Sequence, residues 1–156
     1  MSKTLLGILI VVGTTFSIAR QLILDPQPPK SIAVLPLIDL GSVNDQGYFV
    51  DGVREEITNR LDRAGLGITV TDPGSRFHDK NTSVLDIARS LRVDAVLQGT
   101  VRRTGGSVHA SFSLFDTSKK SVAWTKTYEL RSDSKFALED ELAKSVVPSV
   151  TEHLLQ

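Results

Sequence analysis

The sequence predicts an α/β fold of the two-layer α+β kind, with helices packed on a mixed five-stranded sheet. Three observations support this. Residues 32–37 form a short apolar run that is typical of a buried strand. Between residues 93 and 130, three runs separated by turn residues predict an antiparallel meander. Apolar residues recur at helical spacing before and after that meander. The predicted order is strand, helix, strand, helix, three strands, helix, preceded by an N-terminal hydrophobic helix.

The first half of the folded region contains two of the predicted strands. Pro36 should end the first strand or lie beside a bulge, because proline cannot donate a hydrogen bond to a strand ladder. Asn44 or Asp45 could cap the following helix, and Gly65 is a natural stop for it. The apolar stripe of that helix comprises Phe49, Val53, Ile57, Leu61 and Ala64. A second short strand is expected at residues 68–70.

Two further helices are marked by their first residues. Ser83 followed by Asp86 resembles a capping box and predicts a helix of about ten residues. Ser132 or Ser134 should open the last helix, which has acidic residues near its start, where the helix dipole favours them. Pro148 should kink that helix or end its regular part. Because crossovers between parallel strands are right-handed, the first three strands should be parallel, and hairpins should make the last two antiparallel.

The meander has a clear alternation. Its first strand covers 94–103, and glycines at 105 and 106 permit a tight hairpin. The second strand places one set of residues on an apolar face, namely Val108, Ala110, Phe112 and Leu114, and another on a polar face, namely His109, Ser111 and Ser113. After a turn at 116–120, the third strand should place Val122, Trp124, Tyr128 and Leu130 on one face, with Lys126 interrupting the series.

The N-terminus is expected to be a targeting segment. Residues 1–24 read as an uncleaved signal-anchor, long enough to cross the hydrocarbon core, or as a cleaved signal peptide with small residues before Arg20. The apolar residues of the expected anchor are Leu5, Leu6, Ile8, Leu9, Ile10, Val11, Val12, Phe16 and Ile18. Residues 25–30 contain three prolines and should form a stiff spacer. The folded domain then covers 31–156.

Composition excludes several kinds of function. Eighteen basic residues balance eighteen acidic ones, so there is no electrostatic footprint for nucleic acid, and none is expected as a partner. There is no cysteine, which excludes a structural disulfide, a thiolate nucleophile and a cysteine-ligated zinc site. No internal repeat is visible.

Four stretches in order resemble the TolB amino-terminal-domain-like family, an extracytoplasmic module of membrane-bound regulators, adenylate cyclases and TPR proteins, with FlgO proteins as relatives. They are residues 31–37 (SIAVLPL), 48–57 (YFVDGVREEI), 91–103 (LRVDAVLQGTVRR), and 114–124 (LFDTSKKSVAW) with 136–143 (FALEDELA). Ser118 and Lys119 replace the turn glycine of the family pattern, so that hairpin could be wider. The resemblance implies a noncatalytic sensing or interaction domain in a bacterial envelope, and it does not supply the partner.

No motif for catalysis or for a cofactor is present, and an enzyme is not expected. Asp51, Glu55 and Glu56 could form an acid/base pair or a metal site, but they also fit the solvated start of a helix. His78, His109 and His153 share no metal-ligand spacing. A G-x-S-x-G nucleophile motif is absent.

The residues expected to carry an interaction lie in the meander. Its outer edge could accept a strand from another envelope protein or from a second copy of the chain, flanked by Arg102, Arg103, His109 and Ser111. Trp124 and Tyr128 could be core residues or a docking platform.

The sequence thus favours a noncatalytic, membrane-anchored interaction module, a subunit or regulator of an envelope assembly. Its expected location is the inner membrane, single-pass, with the domain facing the periplasm, or the soluble periplasm after cleavage. The alternative function is a periplasmic sensor that binds a small ligand between the 41–47 loop and the meander.

Overall fold

A computed structural model describes residues 31–41, 47–65, 68–73, 82–104, 106–131 and 133–156. The described elements are β1 (Ser31–Val34), β2 (Ile38–Asp39), α1 (Gly47–Arg63), β3 (Thr69–Thr71), α2 (Val84–Leu91), β4 (Ala95–Thr104), β5 (Ser107–Asp116), β6 (Ser121–Arg131) and α3 (Lys135–Leu154). The expected anchor at 1–24 and spacer at 25–30 lie outside the described residues, as do the candidate caps Asn44 and Asp45. In the described ranges, no helix has the length and apolar character needed to span a membrane.

The strands form one mixed sheet in the order β3-β1-β4-β5-β6, and β2 also pairs with β4. β1 is parallel to both β3 and β4, while β4, β5 and β6 form an antiparallel meander. The prediction of a mixed α+β fold is therefore confirmed. The sheet has six strands rather than the predicted five.

The additional strand, β2, arises from the break at Pro36. Val34 pairs with Leu97, and after the break Ile38 pairs with Thr100. The β1–β2 segment therefore contains one residue more than the stretch of β4 that it faces. Proline cannot take part in the ladder as a donor, and the chain rejoins β4 only beyond it. The break was predicted, but the return of the chain to the same partner strand was not.

One face of the sheet is covered by α1 and α3. The predicted apolar residues of β5 are all buried there, as are those of α1 from Phe49 to Leu61. Ala64 is the exception, because it follows the end of α1 and is exposed. Gly65 takes a positive φ of 65° and ends the helix as predicted.

The other face is covered only in part, by α2. Ile87 and Ala88 of α2 pack against alternate residues of the first strands, Ala33, Leu35 and Val96. β1 is apolar on both faces and therefore needs a cover on each side. The prediction of two layers was wrong in this respect, since a third layer lies over the first strands.

The third strand of the meander contains a bulge at Ala123. Leu114 pairs with Trp124, whereas Phe115 pairs with Val122. Opposite residues share a face, so the bulge places Val122 on the face opposite to Trp124, with 55% of its surface exposed. The prediction that Val122 lies with Trp124 and Tyr128 was wrong because an inserted residue reverses the alternation.

The helix caps agree with the sequence. The Ser83 hydroxyl accepts a hydrogen bond from the Asp86 backbone N–H at 3.1 Å, and Ser134 caps α3 through the N–H of Ala137 at 3.4 Å. α3 continues through Pro148 to Leu154, so an end at that residue was wrong. Pro148 is exposed, and the helix carbonyl that lacks its usual donor can bind water there.

Candidate functional site

The part of the sheet that α2 leaves uncovered is polar. It is called the open face below and consists of Gln98, Thr100, Arg102, His109, Ser111, Ser113, Thr125, Thr127 and Glu129. The strand register places these side chains together, because Arg102 is opposite His109, and Ser111 lies between Thr100 and Thr127. Arg102, His109 and Thr127 are exposed. Short hydroxyl side chains dominate, so the surface is flat and rich in hydrogen-bonding groups.

Cross-strand hydroxyl contacts order this face. Thr127 Oγ1 donates to Ser111 Oγ at 3.4 Å, and the hydroxyls of Ser113 and Thr125 are 3.0 Å apart. Each hydroxyl offers one donor and two acceptor positions, so these contacts leave further positions directed to solvent. The open face can therefore form hydrogen bonds to a partner without first breaking a buried network.

A shallow groove of about 510 Å³ crosses the part of the open face that lies near the β4–β5 hairpin. The backbone N–H of Leu40 donates to Val101 O at 2.8 Å and fixes one rim, and the Leu40 side chain is 48% exposed. Side chains along its floor and walls are Leu40, Thr100, Arg102, Thr104, Ser107, His109, Ser111 and Thr127. A guanidinium group among hydroxyls suits a carboxylate-bearing or hydroxyl-rich group.

The six residues expected to carry an interaction divide between the two faces. Arg102, His109 and Ser111 lie together on the open face. The other three, Arg103, Trp124 and Tyr128, lie on the face covered by α1 and α3. Adjacent residues of a strand point to opposite faces, so Arg102 and Arg103 could not share one contact surface.

The three residues on the covered face have structural contacts. The Arg103 guanidinium carbon lies 5.7 Å from the ring centroid of Phe49. The Trp124 ring lies 6.1 Å from the ring of His153, centroid to centroid. Tyr128 is 9% exposed. These side chains join the sheet to the helices. Trp124 and Tyr128 therefore fit the alternative of core residues better than that of a docking platform. The polar alternation of β4 and β6 also places Thr100 and Thr127 on the open face.

β6 forms an edge of the sheet. It is 11 residues long and pairs with β5, and no other strand of the described chain pairs with its outer side. Lys126, Glu129 and Arg131 are exposed along it, and the bulge at Ala123 twists its start. Charged side chains and bulges on an edge limit unselective pairing while leaving the backbone groups available to a matched partner.

One of the three carboxylates expected near the start of α1 takes part in a contact between helices. Glu56 accepts a hydrogen bond from Arg60 Nε at 2.6 Å, and the same guanidinium pairs with Asp140 of α3. A hydrogen bond from Lys144, with the charges of Lys144 and Arg60, holds the pKa of Asp140 below its usual value. Within the described ranges, no three His, Cys, Asp or Glu residues are grouped to hold a metal ion.

The histidines are dispersed. His109 lies on the open face and His153 on α3 at the opposite face, while His78 lies outside the described residues.

Comparison with known proteins gives one curated relative and several solved structures. No family model matches the chain. A putative adenylate cyclase 3 of Rhizobium meliloti is 30% identical over 125 residues, which is 78% of this chain and 21% of that protein. The chain thus spans about a fifth of the length of this relative.

Three solved structures share the fold. The PelC dodecamer of Paraburkholderia phytofirmans has a TM-score of 0.58 and 21% identity, covering 79% of this chain and 92% of that one. Lipoprotein GNA1162 of Neisseria meningitidis has a TM-score of 0.54 and 22% identity, covering 81% and 99%. TolB of Acinetobacter baumannii has a TM-score of 0.56 and 16% identity, covering 83% of this chain and 29% of TolB.

At these identities the likeness is one of fold, and it supports the resemblance inferred from the four motifs at that level. The chain is therefore similar in fold to TolB, PelC and GNA1162, and related in sequence to one segment of a putative adenylate cyclase.

Proposed function

We propose that this chain is a noncatalytic interaction module of a bacterial cell envelope, which binds other envelope proteins through the open face and the edge of β6. The observation that carries the proposal is a broad polar sheet face, ending at an 11-residue edge strand, in a fold whose opposite sheet face is covered by α1 and α3. A partner strand added to β6 would extend the sheet and place its own side chains beside Thr125, Thr127 and Glu129.

The names of the similar proteins support an envelope role. One is described as a lipoprotein and another as a dodecamer, which is an assembly of a domain with this fold. By analogy, the partner of this chain could be a second copy of itself. We further propose that the apolar segment 5–24 holds the domain at the periplasmic side of the inner membrane as a single span, or is cleaved to release it.

The test is affinity purification of the tagged full-length protein from gently solubilised native membranes, with quantitative mass spectrometry. Arg102→Glu on the open face should deplete the co-purifying proteins. Arg63→Glu is the matched control, because its side chain is 69% exposed and it makes the same charge change away from that face. If both variants retain the wild-type set, the open face is not the binding surface.

The proposed anchor has a separate test. Deletion of residues 1–24 should leave the domain in the supernatant after centrifugation of the membranes, whereas the full chain should sediment with them. A truncated domain that still sediments with pure lipid would contradict the anchor.

A second candidate is a small-ligand sensor that uses the groove beside Leu40. Its volume, about 510 Å³, lies within the usual range for ligand sites, although the groove is open to solvent. A ligand that binds only the native state raises the apparent stability of the protein. Carboxylate-bearing envelope metabolites should then raise the thermal midpoint of the wild type and not of Arg102→Glu. If the affinity purification described above recovers the tagged protein without any partner, that result would favour this candidate over the interaction module.

A further inference from the structure

The two helices that cover the sheet begin at the same end of the domain. Gly52 of α1 lies against the Glu139 carboxylate of α3, and further along both helices Arg60 and Ala64 border one depression with Lys144 and Pro148. α1 and α3 therefore run side by side in the same direction. Arg103, near the end of β4, lies over Phe49 in the first turn of α1. The first turns of both helices thus lie at the β4–β5 hairpin end, away from Ser31.

Two aromatic side chains project into solvent at this end. Tyr48 is 87% exposed and Phe136 is 81% exposed, whereas the other exposed large apolar residues of the described ranges, which include Leu40 and Val122, are between 46% and 55% exposed. Tyr48 is four residues before Gly52, and Phe136 is three before Glu139. Because Gly52 and Glu139 touch, both rings lie on adjacent helices, about one helical turn closer to the helix N-termini than that contact. Neither ring contributes to the core.

Carboxylates surround the two rings. Asp51 is three residues from Tyr48 on α1, and Glu55 borders the same depression as Phe136 and Glu139. No salt bridge joins Asp51 or Glu55 to another described residue, whereas Glu56 and Asp140 are engaged by Arg60. Burial raises the pKa of Glu139, while Lys135 and Arg103 oppose the shift. The surface therefore combines two exposed aromatic rings with the carboxylates of Asp51 and Glu55, which form no described salt bridge, while Lys135 and Arg103 lie near Glu139.

We propose that this aromatic–acidic patch, formed by Tyr48, Asp51, Glu55, Phe136 and Glu139, docks an arginine-bearing segment of a partner protein. A guanidinium group stacks on an aromatic ring and forms paired hydrogen bonds to a carboxylate, so one arginine satisfies both features of the patch. The proposal goes beyond the interaction described above, because the patch lies on the helix layer, on the opposite side of the sheet from the open face.

The test measures the fluorescence anisotropy of a labelled decapeptide of alternating arginine and serine, titrated with the full chain in uncharged detergent micelles. Saturable binding is expected. Tyr48→Ser with Phe136→Ser should weaken it roughly tenfold or more, as expected when aromatic anchors are removed. Asp51→Asn with Glu55→Gln should weaken it too, and a peptide with glutamate in place of arginine should not bind.

The matched control is Leu155→Ser, which removes an exposed apolar side chain at the C-terminal end of α3 and should leave peptide affinity unchanged. All variants should fold, because each altered side chain is exposed, and circular dichroism checks this. Absence of saturable binding, or equal binding by the aromatic variant and the wild type, would overturn the proposal.

Discussion

Tyr128, on the edge strand β6, donates a hydrogen bond from its hydroxyl to the backbone carbonyl oxygen of Ser145 in α3, over 3.1 Å. Its ring meets that of Phe112 edge to face, with centroids 6.2 Å apart. One face of β6 is thereby fixed to the helix layer. The opposite face and the outer backbone edge of the same strand remain accessible, which is the arrangement that the proposed interaction requires.

Removal of the Tyr128 hydroxyl tests this link. Tyr128→Phe should lower the free energy of unfolding by about 1 kcal/mol, because the hydrogen bond is lost and the ring is kept. The measurement is urea denaturation. Tyr48→Phe is a suitable control, since Tyr48 is 87% exposed and should show no change. Equal values for the two variants would mean that the bond to Ser145 contributes nothing.

Two glycines with close neighbours should respond oppositely to alanine. A Cβ at Gly99 would meet the Phe112 ring at 2.7 Å and the Ser111 carbonyl oxygen at 2.9 Å, neither of which can move away easily. Gly99→Ala should therefore destabilise by roughly 1–3 kcal/mol. A Cβ at Gly52 would meet only the end of the flexible Glu139 side chain.

Gly52→Ala should accordingly be neutral or stabilising by up to about 1 kcal/mol, through its higher helix propensity. Urea denaturation of both variants gives the comparison. A large loss at Gly52 would show that Glu139 is held more rigidly than its carboxylate position indicates.

The turn between β5 and β6 contains a strained residue. Lys120 has a positive φ of 52°, a conformation that costs a non-glycine residue about 1–2 kcal/mol. Lys120→Gly should stabilise the protein by roughly 0.5–1 kcal/mol, once the conformational entropy that glycine loses on folding is subtracted from the strain that is removed. Lys119→Gly, one residue earlier, should destabilise it. Thermal midpoints measure both, and a loss at Lys120→Gly would contradict the assigned turn geometry.

Asp116 should make stability depend on pH. It is 4% exposed, and burial alone would raise its pKa. Hydrogen bonds from the side chain of Ser118 and the backbone of Lys119, with the Lys119 ammonium, outweigh burial and lower that pKa. A carboxyl whose pKa is lower in the folded state contributes stability above its unfolded pKa of about 3.9 and loses it as pH falls through the folded value.

Asp116→Asn should thus destabilise by about 1–2 kcal/mol at neutral pH, with a difference from the wild type that shrinks below about pH 4. Thermal unfolding of both proteins between pH 7 and pH 2.5 gives the comparison, with exposed Glu55→Gln as the control. A difference that stays constant over this range would show that the loss arises from side-chain geometry rather than charge.

Local signals in the sequence were sufficient for most elements. The alternation of Val108 to Leu114 predicted the buried face of β5, the spacing of Phe49 to Leu61 predicted that of α1, and Ser83, Ser134 and Gly65 marked helix ends. These features depend on residues within a few positions of each other, so the chain itself encodes them. The placement of Arg102 and Arg103 on opposite faces of the sheet could also be predicted from the sequence, because side chains alternate along a strand.

The tertiary structure alone decided how those elements meet. The bulge that turns Val122 away from Trp124, the return of β2 to β4, and the placement of α2 on the second face depend on which strand each segment pairs with. Tyr48 and Phe136 come to the same end of the domain because α1 and α3 pack side by side, with Gly52 against Glu139, residues far apart in the chain. Sequence periodicity fixes which side of an element is apolar, and only packing fixes what covers that side and what remains open to a partner.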